Sequence, residues 1–258
     1  MRMWLPFVGI VALALTTNAA DPPAPAAPVP VDPTLAQLEQ VGKTLHEFTA
    51  KLTLIETDVG LQTSTKKTGQ VWFQKKPNGD ARIRVLFDMR FAGGLGHKEK
   101  TEYLLDPPWL TDRDYRTRNE TKRQVLEPGQ KLNLFKLGEG PFPMPIGQTP
   151  QDVHQQFDVK GVPPQKTDPA NTVHLQLLPK KETDLARKFH SIDVWVDQNS
   201  HMPVKIGTMD VKQLVSRSTE LGNIVVNPAG GLKESDFALE NIDRANPPWN
   251  RHVEALQK

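Results

Sequence analysis

Gly69 to Phe87, GQVWFQKKPNGDARIRVLF, is the stretch that decides the fold. Val71 and Phe73 alternate with Gln70, Trp72 and Gln74; Pro77-Asn78-Gly79-Asp80 follows, and then Ile83, Val85 and Phe87 resume the alternation. A period of two places Val71 and Phe73 on one face of a strand. Proline presets φ for a turn and Asn-Gly accepts the positive φ that a tight reversal needs. Two strands joined by so few residues run antiparallel, because a parallel return needs a crossover of about a dozen residues.

The same period recurs along the chain, at Ala50/Leu52/Leu54, Tyr103/Leu105, Val173/Leu175/Leu177, Ile192/Val194/Val196 and Val204/Ile206, with a second turn at Asp197-Gln198-Asn199-Ser200. Ahead of the first strand, Asp32-Pro33 makes an N-cap and N1 pair, and Leu35, Leu38, Val41, Leu45 and Phe48 follow at helical spacing. This predicts a helix over about 33–47 carrying His46 and Glu47. Thr149-Pro150-Gln151-Asp152 opens a second, short helix ending near Phe157. The expected fold is mainly β (α+β): one strongly curved antiparallel sheet with the opening helix across its open face. Between the halves, Leu137 to Thr149 (LGEGPFPMPIGQT) interleaves glycine and proline with Phe142, Met144 and Ile146. Such a loop covers apolar surface, either as a mobile lid or as a static plug. Asp158 to Asn171, polar and proline-bearing, reads as an excursion from the sheet.

At the start, Arg2, the apolar run Trp4 to Leu15 (WLPFVGIVALAL) and the small residues Thr16 to Ala20 have the order of a secretory signal, cleaved after about Ala20. The run falls short of the roughly 20 residues that span a bilayer. Residues 21–31 (DPPAPAAPVPV) form an extended linker, and residues 32–258 a single domain. The sequence has no cysteine, which excludes disulfides, thiolate metal sites, a cysteine nucleophile and a lipid-bearing N-terminal cysteine. Of 32 basic residues only Arg2 lies in the signal, so 31 face 30 acidic residues in the exported chain. That balance gives no reason to expect nucleic acid as a partner.

Candidate chemistry is sparse. There is no G-x-S-x-G elbow, no phosphate-cradling glycine loop and no H-E-x-x-H pair, and the seven histidines are scattered singly. No catalysis, cofactor or metal site is expected; a hydrolase would need distant groups such as His174, His190 and Asp193 to converge. Asp112 to Arg123 (DRDYRTRNETKR) mixes five basic with three acidic residues and reads as a solvated strand or an anion site. Trp72, Trp109, Trp195 and Trp249 suit either a pocket or a core.

The ordered set Phe48-Thr49-Ala50-Lys51, Gly69-Gln70-Val71-Trp72-Phe73 with Lys75-Lys76-Pro77, Tyr103-Leu104-Leu105-Asp106, Ile192-Asp193-Val194-Trp195-Val196-Asp197, Met202-Pro203-Val204-Lys205-Ile206 and Asn223-Ile224-Val225-Val226-Asn227 with Asp236-Phe237 resembles the periplasmic outer-membrane lipoprotein carrier family (LolA/LolB-like) over about 33–240. The resemblance implies an unclosed antiparallel β-barrel whose helices cover the mouth and whose cavity holds lipoprotein acyl chains in the periplasm. It implies acylated lipoprotein as cargo, with an inner-membrane release machinery and an outer-membrane receptor as partners. The apolar positions facing such a cavity would be Leu52, Leu54, Val71, Phe73, Ile83, Val85, Phe87 and Trp109, with Phe142, Met144 and Ile146 as cover. In the family a W-x-x-R-P arginine holds the lid closed; here Lys75 or Lys76 stands in its place. A lipoprotein-binding sensor or regulator on the same scaffold is the alternative.

Overall fold

Thr49, Lys51 and Thr53 turn outward in the first strand while Phe48, Ala50 and Leu52 are buried, and this alternation repeats through a twelve-stranded sheet. The computed structural model describes residues 29–77, 80–127, 130 and 146–256. In chain order the elements are α1 (Val31–Thr44), β1 (Glu47–Asp58), β2 (Thr63–Lys75), β3 (Ala81–Ala92), β4 (Leu95–Asp106), β5 (Trp109–Asp114), β6 (Asn119–Gln124), α2 (Pro150–Gln156), β7 (Phe157–Val162), β8 (Thr172–Pro179), β9 (Phe189–Asp197), β10 (Pro203–Asp210), β11 (Val215–Val226), α3 (Glu234–Phe237) and β12 (Asn250–Glu254). The sheet order is β12-β6-β5-β4-β3-β2-β1-β11-β10-β9-β8-β7. Every neighbouring pair is antiparallel except β12 on β6, which is parallel, and the outermost strands do not pair with each other.

Such a sheet has to curl to bury one face. Leu110 on β5 and Phe189 on β9 lie seven strands apart in the sheet order yet line one cavity. A flat sheet at about 4.8 Å per strand would hold them roughly 34 Å apart. One device for the bend is legible at Gly69, where the β2–β3 register shifts and a Cβ would stand 1.8 Å from the Leu86 carbonyl oxygen. Only glycine admits that approach, and a bulge increases local twist. The result is the unclosed, mainly β architecture expected from the sequence, with α1 laid on the concave side.

Helix α1 buries Thr34, Leu35 and Leu38 in a core that includes Leu45, Phe48, Leu52, Val71, Phe73 and Leu177. Phe48 and Phe73 stack at 5.4 Å and 28°. The helix ends at Thr44, earlier than its apolar spacing suggests, because Phe48 is the first core residue of β1. His46 and Glu47 therefore stand outside the helix, and their N–H groups donate to Asn227 Oδ1 at 2.9 and 3.1 Å. Val29 and Val31, at the end of the proline-rich stretch, already pack against the core. Helix α2 forms as its cap predicts: Asp152 N–H donates to Thr149 Oγ1 at 3.1 Å, and Thr149 N–H returns to Asp152 Oδ2.

Two sequence expectations are corrected. Asp158 to Val162 belong to the edge strand β7, because Val159 continues the inward side begun by Phe157; only the segment after Val162 leaves the sheet. The Asp112 to Arg123 run is not a solvated strand: Arg113 and Glu120 are 6% and 5% exposed. Cover comes from far along the chain, where α3 and the segment leading to β12 cross the outer face of β3 to β6. Arg113 donates to Glu120 Oε2 at 2.6 Å and to the Glu240 carbonyl at 2.7 Å, while Arg251 donates to Glu120 Oε1 at 2.8 Å. Arg84 pairs with the buried Glu102 and donates to the Asp236 carbonyl at 2.7 Å. Arg82 holds Glu234 through two nitrogens at 2.8 and 2.6 Å over the Phe237 ring.

Candidate functional site: an apolar cavity under the curl

Beyond the part of the concave face that α1 fills, the strands enclose a cavity of about 450 Å³. Its lining is Leu54, Ile83, Val85, Phe87, Tyr103, Leu105, Leu110, Phe189 and Ile206, with Lys67, Thr208, Arg217 and Thr219 as the polar members. Alternation explains the set: Ile83, Val85 and Phe87 face it from β3, Tyr103 and Leu105 from β4, Ile206 and Thr208 from β10, Arg217 and Thr219 from β11. The volume falls within the roughly 300–1,000 Å³ of single-ligand pockets, and the mainly apolar walls with few polar groups are the usual chemistry of such a site.

The polar members are arranged at one side of this lining. Phe87 meets Tyr103 edge-on at 6.4 Å, and the Lys67 ammonium lies 5.8 Å from the Phe87 ring centre. Burial pushes the Tyr103 phenol up, and the charges of Asp112 and Asp114 push it further, so it stays neutral. Burial likewise raises the Asp112 carboxyl, with Asp114 adding and Arg123 and Lys67 opposing. Arg217 is tied to Glu56 at 2.6 Å. The lining offers hydroxyls and cations and no histidine, carboxylate or thiol, so it has the means to hold an apolar chain beside a polar group.

The sequence-selected positions divide among several places. Leu54, Ile83, Val85 and Phe87 line the cavity. Leu52, Val71 and Phe73 are at most 2% exposed in the packed core beside α1. Trp109 alternates with Leu110 and faces the other side of the sheet, where Lys122 lies 4.9 Å from its ring centre. Ile146 is 1% exposed, and the next residue, Gly147, donates its N–H to the Leu38 carbonyl at 3.1 Å. Gly42 of α1 meets this segment backbone to backbone; a Cβ on Gly42 would stand 2.2 Å from Gly147 Cα. Phe142 and Met144 lie outside the described residues, as does the signal segment.

The two lysines take different partners. Lys75 reaches across to α1 and donates to the Gly42 carbonyl at 2.7 Å, and burial lowers its pKa. Lys76 pairs with Asp106 at the end of β4. Lining residues that sequence reasoning did not select include Leu110 and Phe189, which lack a neighbouring alternation, and the polar Lys67, Thr208, Arg217 and Thr219.

The hydrolase trio does not assemble. His174 Nε2 and Asp193 Oδ1 meet at 2.9 Å, but His190 is exposed. His174 is 7% exposed, stacks on Trp195 at 4.1 Å, and its Nδ1 faces Asp168 at 3.9 Å with no hydrogen-bond partner among the described residues. Asp168 accepts from the Trp195 indole at 2.7 Å and so pins the segment after β7 to the outer face. Burial alone would raise the Asp168 carboxyl, but the Gln165 N–H, the Trp195 indole and the charges of His174 and Lys205 hold it below its ordinary value. No group of three metal-ligating side chains occurs among the described residues. No helix among them is long and apolar enough to cross a membrane.

No family model matches the chain, and no curated protein sequence does. Solved structures to which the chain is similar include MucB, at 12% identity over 81% of this chain and 62% of that one, with a TM-score of 0.47. The chain thus spans about three fifths of the MucB chain's length. An uncharacterized conserved protein from Thermus thermophilus is similar at 12% identity over 87% of this chain and 98% of that one, TM-score 0.46. A LolA superfamily protein from Nitrosomonas europaea follows at 11% identity over 83% and 99%, TM-score 0.36.

Proposed function

We propose that this protein is a periplasmic carrier that shields an acyl chain of a lipoprotein inside the cavity under its curled sheet. The observation that carries the reading is the unfilled apolar space of about 450 Å³ bounded by Ile83, Val85, Phe87, Leu105, Leu110 and Ile206. Apolar space of that size beside a densely packed core is what a chain-shaped ligand needs, since each methylene moved out of water gains about 0.8 kcal/mol. The export-signal order of residues 1–20 and the family resemblance of the sequence support the compartment and the cargo class. Loading needs no chemistry at the site.

One observation favours a second reading, a sensor that binds a lipid or lipoprotein and passes the signal to a partner protein. The cavity has the volume of one ligand, whereas a multiply acylated anchor needs room for several chains. Native mass spectrometry of the protein isolated from its own periplasm, with lipid extraction, tests both. A co-purifying acylated protein is expected for a carrier. A free lipid, with a stable complex to a membrane signalling protein, selects the sensor; an empty chain in repeated preparations overturns both.

A further inference from the structure

The lining of the cavity changes character along its length. At one end Ile83, Leu105 and Leu110 stand side by side on β3, β4 and β5. At the other, Leu54 on β1 is flanked by Lys67 on β2 and Thr219 on β11; Arg217, two residues before Thr219, is paired with Thr208 on β10. Ile83 is paired with Phe73, six residues along β2 from Lys67, so the two ends lie roughly 20 Å apart. The cavity is therefore amphipathic end to end, apolar at Ile83 and polar at Lys67.

The polar end is not satisfied from within. Lys67, Tyr103, Thr208 and Thr219 make no side-chain hydrogen bond among the described residues, and Lys67 makes no ion pair within 4 Å; its ammonium only lies 5.8 Å from the Phe87 ring centre, the ring that Tyr103 meets edge-on. Arg217 differs, being held by Glu56 at 2.6 Å.

The charges around this end balance one another, so no net field selects a ligand. Arg90 lies 4.0 Å from Glu99, Asp114 accepts the Arg116 and Thr117 N–H groups of its own turn at 2.8 and 3.0 Å, and Asp112, paired with Tyr103 on the neighbouring strand, is opposed by Arg123 and Lys67. Selection falls instead to the groups that reach the cavity wall: one ammonium, one guanidinium and three hydroxyls, with no carboxylate. Hydroxyls serve a head of either charge, whereas an ammonium only donates and is served best by an anion. A chain joined through a neutral ester or amide would leave the Lys67 charge uncompensated.

We propose that the cavity takes a single-chain anionic amphiphile of the fatty-acid class, its tail among Ile83, Leu105 and Leu110 and its head at Lys67, where the Tyr103 hydroxyl donates a second hydrogen bond. This rests on the reading above that an acyl chain enters the cavity, and it adds what that chain ends in. Lys67 is thus the residue that sets both the direction of the guest and its preference for a charged head.

The test is calorimetric titration of the full chain with four twelve-carbon probes: dodecanoate, dodecyl phosphate, 1-dodecanol and dodecylammonium. Every variant carries the same residues 1–28, so that any binding to the N-terminal apolar run cancels. Wild type is expected to bind an anionic probe about tenfold more tightly than dodecanol and dodecylammonium least of all, the better of the two anions separating a carboxylic acid from a phosphate as the source. Lys67→Met, which keeps the apolar stem, is expected to bind the anions about tenfold more weakly and dodecanol unchanged, with the same circular-dichroism melt; Lys67→Arg is expected to restore the preference. Asp112→Asn, removing the opposing carboxylate, is expected to tighten dodecanoate about threefold and leave dodecanol alone. Equal binding of dodecanol and both anions to wild type, or a preference that survives Lys67→Met, overturns the proposal while leaving the acyl-chain reading in place. Failure of every probe to bind wild type overturns both.

Discussion

Ile83, Val85 and Phe87 point from β3 into the curl, and Arg82 and Arg84, their neighbours on the same strand, point out beneath α3 and the chain that follows it. The inner face is built of non-directional contacts that are equally satisfied by core or by a guest chain, and part of it is left open. The outer face is built of charge-assisted hydrogen bonds with fixed geometry: Arg84 to Glu102, Arg113 to Glu120, Arg251 to Glu120. Such bonds leave little slack, because Glu102, Arg113 and Glu120 are buried charges that a lost contact would leave unpaired in low dielectric. The strand therefore has one face shaped to accept a guest and one that fixes its curvature.

The comparison breaks most sharply at Glu102, which is 1% exposed. Arg84→Ala leaves that carboxylate with the Tyr115 hydroxyl and is expected to lose about 3–5 kcal/mol in urea unfolding. Arg84→Met with Glu102→Leu is expected to recover most of it, since a matched apolar pair strands no charge. On the inner face, Phe73→Ala in the core beside α1 should lose about 3–4 kcal/mol. Lys75→Met removes the tie to the Gly42 carbonyl and should lose about 1–2 kcal/mol, read in the same assay. Ile206→Phe, filling the cavity, should weaken fatty-acid uptake about tenfold, the equivalent of about 1.4 kcal/mol, with the melt nearly unchanged.

The smallest effect expected is on pH dependence. The Asp168 carboxyl is held below its ordinary value in the folded chain, so its stabilisation is full above the ordinary carboxylate range and is lost as pH falls through the lowered value. Wild type should lose more stability than Asp168→Asn between about pH 5 and 3. An equal loss in both proteins would separate the pinning of that segment from its charge.

Strands whose two faces differ in polarity were legible from the sequence because a period of two survives any tertiary context, and α2 was legible because its capping box is local. What escaped was nonlocal. Arg113 and Glu120 look solvated in a charged run, and only a segment some 130 residues later buries them. Trp109, expected to face the cavity, lies on the opposite face: the short β5 follows Pro107-Pro108, and its parity is fixed only by pairing with β4. For the cavity, the residues of β3 and β4 were visible in the alternation, whereas its far wall at Phe189, Ile206 and Thr219 depends on how far the sheet curls. Lys75 and Lys76 were distinguishable only in three dimensions, by which one meets a helix carbonyl.

The contact of Gly42 with Gly147 bears on time as well as on structure. With two backbones touching and Gly147 N–H bonded to the Leu38 carbonyl, the helix and the chain entering α2 form one rigid piece. Lifting α1 uncovers Leu35, Leu38 and Ile146 together, so any such opening is a collective event of the microsecond-to-millisecond class, slower than the flip of a single side chain. Residence of a guest whose exit required that motion would be set by this joint, and one added methyl at Gly42 would act as a wedge that shortens it.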